Sequence, residues 1–266
     1  MSQNSSIFGR QLGPVEGIVL TTVGSLVLLV AWQTIVASRI ISEQLLPPPQ
    51  MVLQTAVRLL HVPFAGYTLQ EHLAASLKRY LMGFILAAAL GIPLGLMMGW
   101  SRKWETVVSP FLEAFRFIAP IAWVPFAALW FGTGIGGPIL IIFSGAFPPC
   151  VINAYSGARL IPPPLIEAAQ TLGISTPRML FDVLLPGALP SIVAGLRIAS
   201  GIGWQSLIGA ELIVVSSGIG YLMVQGQSNM DTPIVMVGML AIGITGFIID
   251  FFLRFVESRV RSKWAQ

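Results

Sequence analysis

Between Glu16 and Arg39 the chain carries no charged residue. An apolar run of that length is enough to cross a bilayer as a helix, since ~20 residues span the hydrocarbon core. A secretory signal core is shorter, about 7–15 residues. The run is therefore expected to stay as a first span from about Gly17 to Ser38, despite Arg10 ahead of it. The whole chain fits this beginning. Of its 266 residues 55% are hydrophobic and 10% charged, and mean hydropathy is +0.81. Soluble domains carry roughly 25% charged residues to cover their surface, which excludes a cytosolic globule. Disorder needs low hydrophobicity and is excluded as well.

Five further runs follow, at about 80–100, 107–131, 138–155, 188–215 and 233–256. The second is rich in small residues. Gly91, Gly95 and Gly99 repeat on one helical face, which permits close helix approach or is simple tolerance of glycine in lipid. Gly91-Ile92-Pro93 is expected to kink it. The third holds Glu113, Arg116, Pro120 and Pro125 and is predicted to be broken or bent. The net charge is +4 and the pI about 9.6. The basic residues sit between apolar runs, where cytoplasmic loops collect Lys and Arg, so nucleic acid is not needed to explain them. With the N-terminus inside, the inner face receives Arg10, Arg102, Lys103, Arg159, Arg178, Arg254, Arg259, Arg261 and Lys263. The outer face receives Arg39, Arg58, Lys78 and Arg79. Both termini are expected inside, giving a segment at 1–16, a six-helix membrane domain at 17–256 and a tail at 257–266. In the loop from Arg39 to Arg79, LLPPP is a stiff lead into an interfacial helix over Met51 to Leu60.

Between the fourth and fifth runs lies Ala158 to Pro186, ARLIPPPLIEAAQTLGISTPRMLFDVLLP. Pro162, Pro163 and Pro164 suit a helix start, where the missing N–H groups need no partner. Leu165, Ile166, Ala169 and Leu172 form an apolar stripe, with Glu167 expected in the first turn, where the helix dipole favours it. Gly173 stops the helix. Ser175 or Thr176 caps a second helix with Pro177 in its first turn, and Pro186 is expected to end it. At ~15 Å the first helix is too short to span a bilayer. On spacing alone it is either a connector or a docking knob.

The residues themselves resemble the inner-membrane permease subunits of ATP-binding-cassette importers. Those carry EAA, three residues, Gly, nine residues, then Ile-x-Leu-Pro. Here Glu167-Ala168-Ala169 precedes Gly173 at that spacing, and Val183-Leu184-Leu185-Pro186 follows, with Val for Ile. LLPPPQ near Leu45, the stretch from Trp123-Val124-Pro125 to Trp130-Phe131-Gly132, and Leu185 to Trp204 resemble the subfamily for taurine and sulfonates, nitrate and bicarbonate. AELI at 210–213 and DTPIV at 231–235 lean toward taurine and sulfonates.

The resemblance implies an all-α membrane protein of the type I importer permease fold: six spans with a five-helix core, two copies around one pathway. It implies two ATPase subunits that bind ATP and Mg, each receiving the helix at Glu167, Ala168, Ala169, Leu172 and Gly173, with Leu185 and Pro186 completing the motif. It also implies an extracytoplasmic binding protein that delivers substrate. The chain itself is expected to be non-catalytic and to hold no cofactor. It contains no GxxxxGK[ST] phosphate loop, and the glycines from Gly132 to Gly137 lack the lysine.

Charges inside spans default to function. The pathway candidates are Arg116, Pro120, Trp123, Arg197, Trp204 and Glu211. Each has a plainer reading. Glu113 and Arg116 are spaced to pair, as are Asp250 and Arg254. Arg197 is placed to bind a neighbour, Glu211 to hold the loop from Ser216 to Gly220, and the tryptophans to form an interfacial belt. His61 and His72 fall in the first outer loop with no chemical role expected. Cys150 stands alone, so no internal disulfide forms, and no metal-ligand spacing exists. Two other classes remain. An ion-gradient carrier predicts paired broken helices in inverted repeats, and the broken third run has no second copy. A membrane enzyme needs clustered His, Asp or Cys.

Overall fold

A computed structural model of the chain describes residues 14–38, 41–175, 178–213 and 215–264. Arg10 and Arg39 of the charge pattern lie outside these, as do Thr176 and Pro177 of the expected second cap. The order is α1 (Pro14–Ala37), α2 (Pro49–His61), α3 (Leu69–Trp100), α4 (Arg102–Phe117), a 3-10 turn (Pro120–Trp123) leading into α5 (Val124–Phe131), and α6 (Gly136–Arg159). Then come α7 (Pro163–Thr171), a π-helical turn (Met179–Leu184) running into α8 (Leu185–Glu211), α9 (Ile219–Ser228) and α10 (Thr232–Trp264). Five of these are long and apolar enough to cross a membrane, and α4 with the α5 arm makes a sixth, bent by 91°. The expected break in the third run therefore falls between Phe117 and Pro120.

The centre of the fold is the packing of α3 on α6, set by glycine. A Cβ at Gly91 would lie 2.8 Å from Cys150 Cβ, and one at Gly95 would lie 2.7 Å from Ala154 Cβ and inside the Val151 carbonyl. Gly99 meets Ala158 in the same way. Of the two readings of this stripe, close approach is the one the structure takes. α6 packs in turn on α8, where Gly195 makes room for Asn153 and Gly157 for Ala188.

Two expectations need correction, the start of α3 and the role of Pro186. α3 starts at Leu69, not near Tyr80, because the capping box of Thr68 and Glu71 opens it early. Its first turns carry His72, Ser76 and Arg79, which are buried against protein, so hydropathy did not mark them as part of a span. α2 is a helix as expected, and one of its faces is covered by the protein: Val52 and Leu59 pack on Leu222, Ile234 and Val237. Pro186 does not end a helix. It sits in the first turn of α8, and the wider π turn stands just before it. In a regular helix its ring would strike the carbonyl four residues back; the π turn provides the extra room. α10 continues as helix past Val256, as far as Trp264.

Candidate functional site

α7 is built as a stub with a firm seat. Pro162 precedes the first turn and Pro163 opens it, where a missing N–H costs nothing. Glu167 then falls in the second turn rather than the first, and no acidic residue occupies the first. At the other end Gly173 has φ +71°. Its N–H donates to the Gln170 carbonyl at 2.9 Å, and the Ile174 N–H donates to the Ala169 carbonyl at 3.2 Å. This pair of bonds is a Schellman motif, which needs a residue without a Cβ penalty at the glycine position.

The expected apolar stripe divides in two. Ala169 is buried and Ile166 half-buried, in a cluster with Leu96 of α3, Ala154 and Ala158 of α6, Met179 and Leu184 of the π turn, and Ala188 of α8. Leu165 and Leu172 point the other way and are 57% and 79% exposed. Glu167, Ala168 and Gly173 are exposed with them. The outer face is thus a narrow knob with two bare leucines and one carboxylate. The inner face is a contact on the ends of three spans. Leu185 and Pro186 are half-buried at the start of α8, behind that contact.

A cleft of about 520 Å³ lies between α4, the 3-10 turn, α6 and α8. Arg116, Pro120, Ser144, Gly145, Pro148 and Asn153 are among its lining residues. Pro148 and Pro149 have no N–H, so the carbonyls of Ser144 and Gly145 lack their usual helical donors. Polar backbone at membrane depth is tolerated where it lines a cavity. Arg116 lies over the Phe117 ring, 5.0 Å from its centroid. Among the described residues no ion pair joins it to Glu113; the two border a smaller cavity instead.

The other expected pathway residues are separated from one another. Trp123 packs between Phe115 and Phe126, with its buried Nε1 unpartnered. Arg197 donates to Asp250 at 2.7 Å and Glu257 at 3.3 Å on α10, and Asp250 also holds Arg254. Trp204 donates to the Ile242 carbonyl and meets the Tyr80 ring edge-on.

Glu211 is the hub of a buried network at the end of α8. It accepts from Ser76 Oγ at 2.8 Å, Arg79 Nη1 at 2.9 Å and the Gly220 N–H at 3.1 Å. Arg79 also donates to the Ser217 carbonyl and hydroxyl. His72, expected in a loop with no role, is fully buried in α3. It accepts the Gly218 N–H at Nδ1 and faces the Phe64 carbonyl with Nε2. Gly218, at φ +110°, leaves the space that the Glu211 carboxylate fills. Serine, histidine and glycine far apart in the chain gave no signal for this cluster; the lone acid of the fifth apolar run did, as a holder of the loop that follows it.

A profile of the family described as "binding-protein-dependent transport system inner membrane component" matches residues 91–262. This range contains α7, its seat and the cleft. The taurine transport system permease protein TauC of Escherichia coli (strain K12) is 36% identical over 262 residues, 97% of this chain and 95% of its own length. The chain belongs to the binding-protein-dependent inner-membrane permeases. The putative aliphatic sulfonates transport permease protein SsuC of Bacillus subtilis (strain 168) is 33% identical over 96% of this chain and 89% of its own. A chain of the MetNI methionine ABC transporter, from a structure of its inward-facing conformations, superposes with a TM-score of 0.57 at 20% identity. It covers 71% of this chain and 93% of that one, and it shows the fold. The fold is that of a type I importer permease, all-α and multi-pass in the membrane. In this chain the bent third span and the short α7 form the two candidate sites.

Proposed function

We propose that this chain forms the membrane pathway of an ATP-driven importer for taurine or another alkanesulfonate. The observation that carries the reading is α7. It is too short to span, it is stopped by Gly173, and it is seated through Ile166 and Ala169 on the ends of α3, α6 and α8. A push on its exposed face, at Leu165, Glu167, Ala168 and Leu172, reaches three spans at once. The pushing partner is an ATPase subunit that binds ATP and Mg. Two copies of this chain and two ATPases form the complex, with both termini cytoplasmic and a substrate-binding protein outside. Hydrolysis belongs to the ATPase, and the permease turns its motion into access.

For the pathway, the cleft at Arg116 and Pro120 is the best-supported element. It offers a guanidinium and freed carbonyls to a small charged solute. Trp123, Arg197, Trp204 and Glu211 have partners that hold helices together, which supports a structural use for them. The identity to the taurine and sulfonate relatives favours that substrate. Nitrate or bicarbonate is the second reading within the same family.

Purification of the chain with its genomic neighbours tests the assembly: an ATPase is expected in equal number. Gly173→Val and Glu167→Lys are expected to lower transport-coupled hydrolysis while leaving membrane insertion intact. Unchanged coupling in both overturns the role of α7. Calorimetry of the partner receptor with taurine, nitrate and bicarbonate decides the substrate.

A further inference from the structure

α4 carries Arg116 and one wall of the cleft, yet it is thinly attached. Leu112 is its one buried residue among those described, and it packs on Met98 and Val151. Apolar side chains on its other sides are bare, with Val107 60%, Phe111 74% and Phe117 79% exposed. One polar tie supplements this seat. Glu105, in the first turn of α4, accepts from Arg159 Nη2 at 2.8 and 2.7 Å through its two oxygens and from the Tyr155 hydroxyl at 2.6 Å. The Arg159 guanidinium also lies over the Tyr155 ring. Among the described residues these are the only side-chain hydrogen bonds from α4 to another helix.

The location of the tie is informative. Arg159 is the last residue of α6, and its neighbour Ala158 is buried in the cluster that seats Ala169 of α7. The chain then passes through Ile161, also in that cluster, into α7. Any displacement of α7 therefore reaches Arg159 within a few residues. Arg159 is 52% exposed and Glu105 24%, and exposed ion pairs add little to stability. A linkage with little effect on stability, joining the segment that is pushed to the helix that borders the cleft, is placed to transmit motion.

We infer that Glu105, Tyr155 and Arg159 form a clasp that makes α4 follow α7, so that ATP-driven movement reaches the Arg116 wall of the cleft. These are positioning residues, and the inference rests on the importer reading above. In it, α3, α6 and α8 move with α7 through apolar contact, whereas α4 needs the clasp. Glu105→Gln or Arg159→Gln loosens α4 without unseating α7.

The test uses the complex with its ATPase in lipid nanodiscs, with Cys150→Ala to remove the native thiol. A spin label is placed at Phe111→Cys on α4 or, in a separate protein, at Leu90→Cys on α3. Each gives one distance between the two copies, measured by pulsed electron resonance before and after trapping with ATP and vanadate. In the otherwise unchanged chain both distances are expected to shift. In Glu105→Gln and in Arg159→Gln the Leu90 shift is expected to persist and the Phe111 shift to be lost. The exchange Glu105→Arg with Arg159→Glu is expected to restore it. A Phe111 shift that persists in both single variants overturns the clasp. So does a loss that the exchange does not restore, because that reports local damage. A Leu90 distance that never responds to ATP overturns the importer reading along with the clasp, so the two failures are distinguishable.

Discussion

Glu211 is a carboxylate with no exposure to water, at the end of a helix whose one other charged residue is Arg197. Removing a charge from water costs several kcal/mol unless partners replace the lost hydration. Here they do, through a guanidinium, a hydroxyl and a backbone N–H. The arrangement is stable only as a set. Glu211→Ala leaves the Arg79 guanidinium buried and uncompensated, and breaking such a pair costs about 3–5 kcal/mol. A clear drop in the thermal unfolding midpoint of the purified protein is expected. Arg197→Ala removes a pair whose arginine is a third exposed and whose Asp250 keeps Arg254. Its unfolding midpoint is expected to fall much less. The same contrast explains why charge alone was an ambiguous sign in the sequence. Arg197 and Arg116 looked alike as basic residues in apolar runs. One is matched by two carboxylates from a helix fifty residues away, and the other faces a cleft.

Helices in this fold are placed by what their surfaces lack. α3 and α6 meet along Gly91, Gly95 and Gly99, so their separation is set by the absence of side chains. Gly95→Ala puts a Cβ inside the Val151 carbonyl, and overpacking of this kind costs about 1–3 kcal/mol. Gly24→Ala in α1 meets nothing within 4 Å and is expected to be neutral or slightly stabilising, since alanine is the better helix former. Comparing the unfolding midpoints of the two variants checks the claim. The same logic applies to α7, where an alanine at Gly173 must adopt φ +71°. That strain, about 1–2 kcal/mol, is expected to loosen the Schellman turn and lower coupled ATP hydrolysis before it affects expression. Much of this level was legible in the sequence. The glycine period, the prolines of the bent third span and the punctuated segment from Pro162 to Gly173 are local signals, and each became the element it suggested. What was hidden depends on partners. The early start of α3 was masked because His72, Ser76 and Arg79 read as loop residues until Glu211 and Gly218 are placed beside them. α9 was hidden because ten residues between two apolar runs look like a connector. The continuity of the π turn with α8 was hidden because Pro186 is an ordinary helix stop unless the preceding turn widens.

At the scale of the whole molecule, direction across the membrane reduces to counting crossings. α7 and Met230 flank α8 and α9. α8 with its π turn is long and apolar enough to cross once. α9 has 10 residues, or about 15 Å at 1.5 Å per residue, half of the ~30 Å core, so it cannot return the chain. The tip after α9, where Met230 is 88% exposed, must then lie on the face opposite Leu172, which is 79% exposed on α7. In the proposed orientation the α7 face, toward which the Lys and Arg excess lies, is the cytoplasmic one. With Cys150→Ala as background, Met230→Cys in intact cells is expected to react with a membrane-impermeant maleimide. Leu172→Cys is expected to react only after permeabilisation, and the ATPase is expected to shield it in the complex. Labelling of both from one side would mean that α8 does not cross or that α9 does. Labelling in the reverse order would put α7 out of reach of ATP, and no partner hydrolysing nucleotide in the cytoplasm could then act on it.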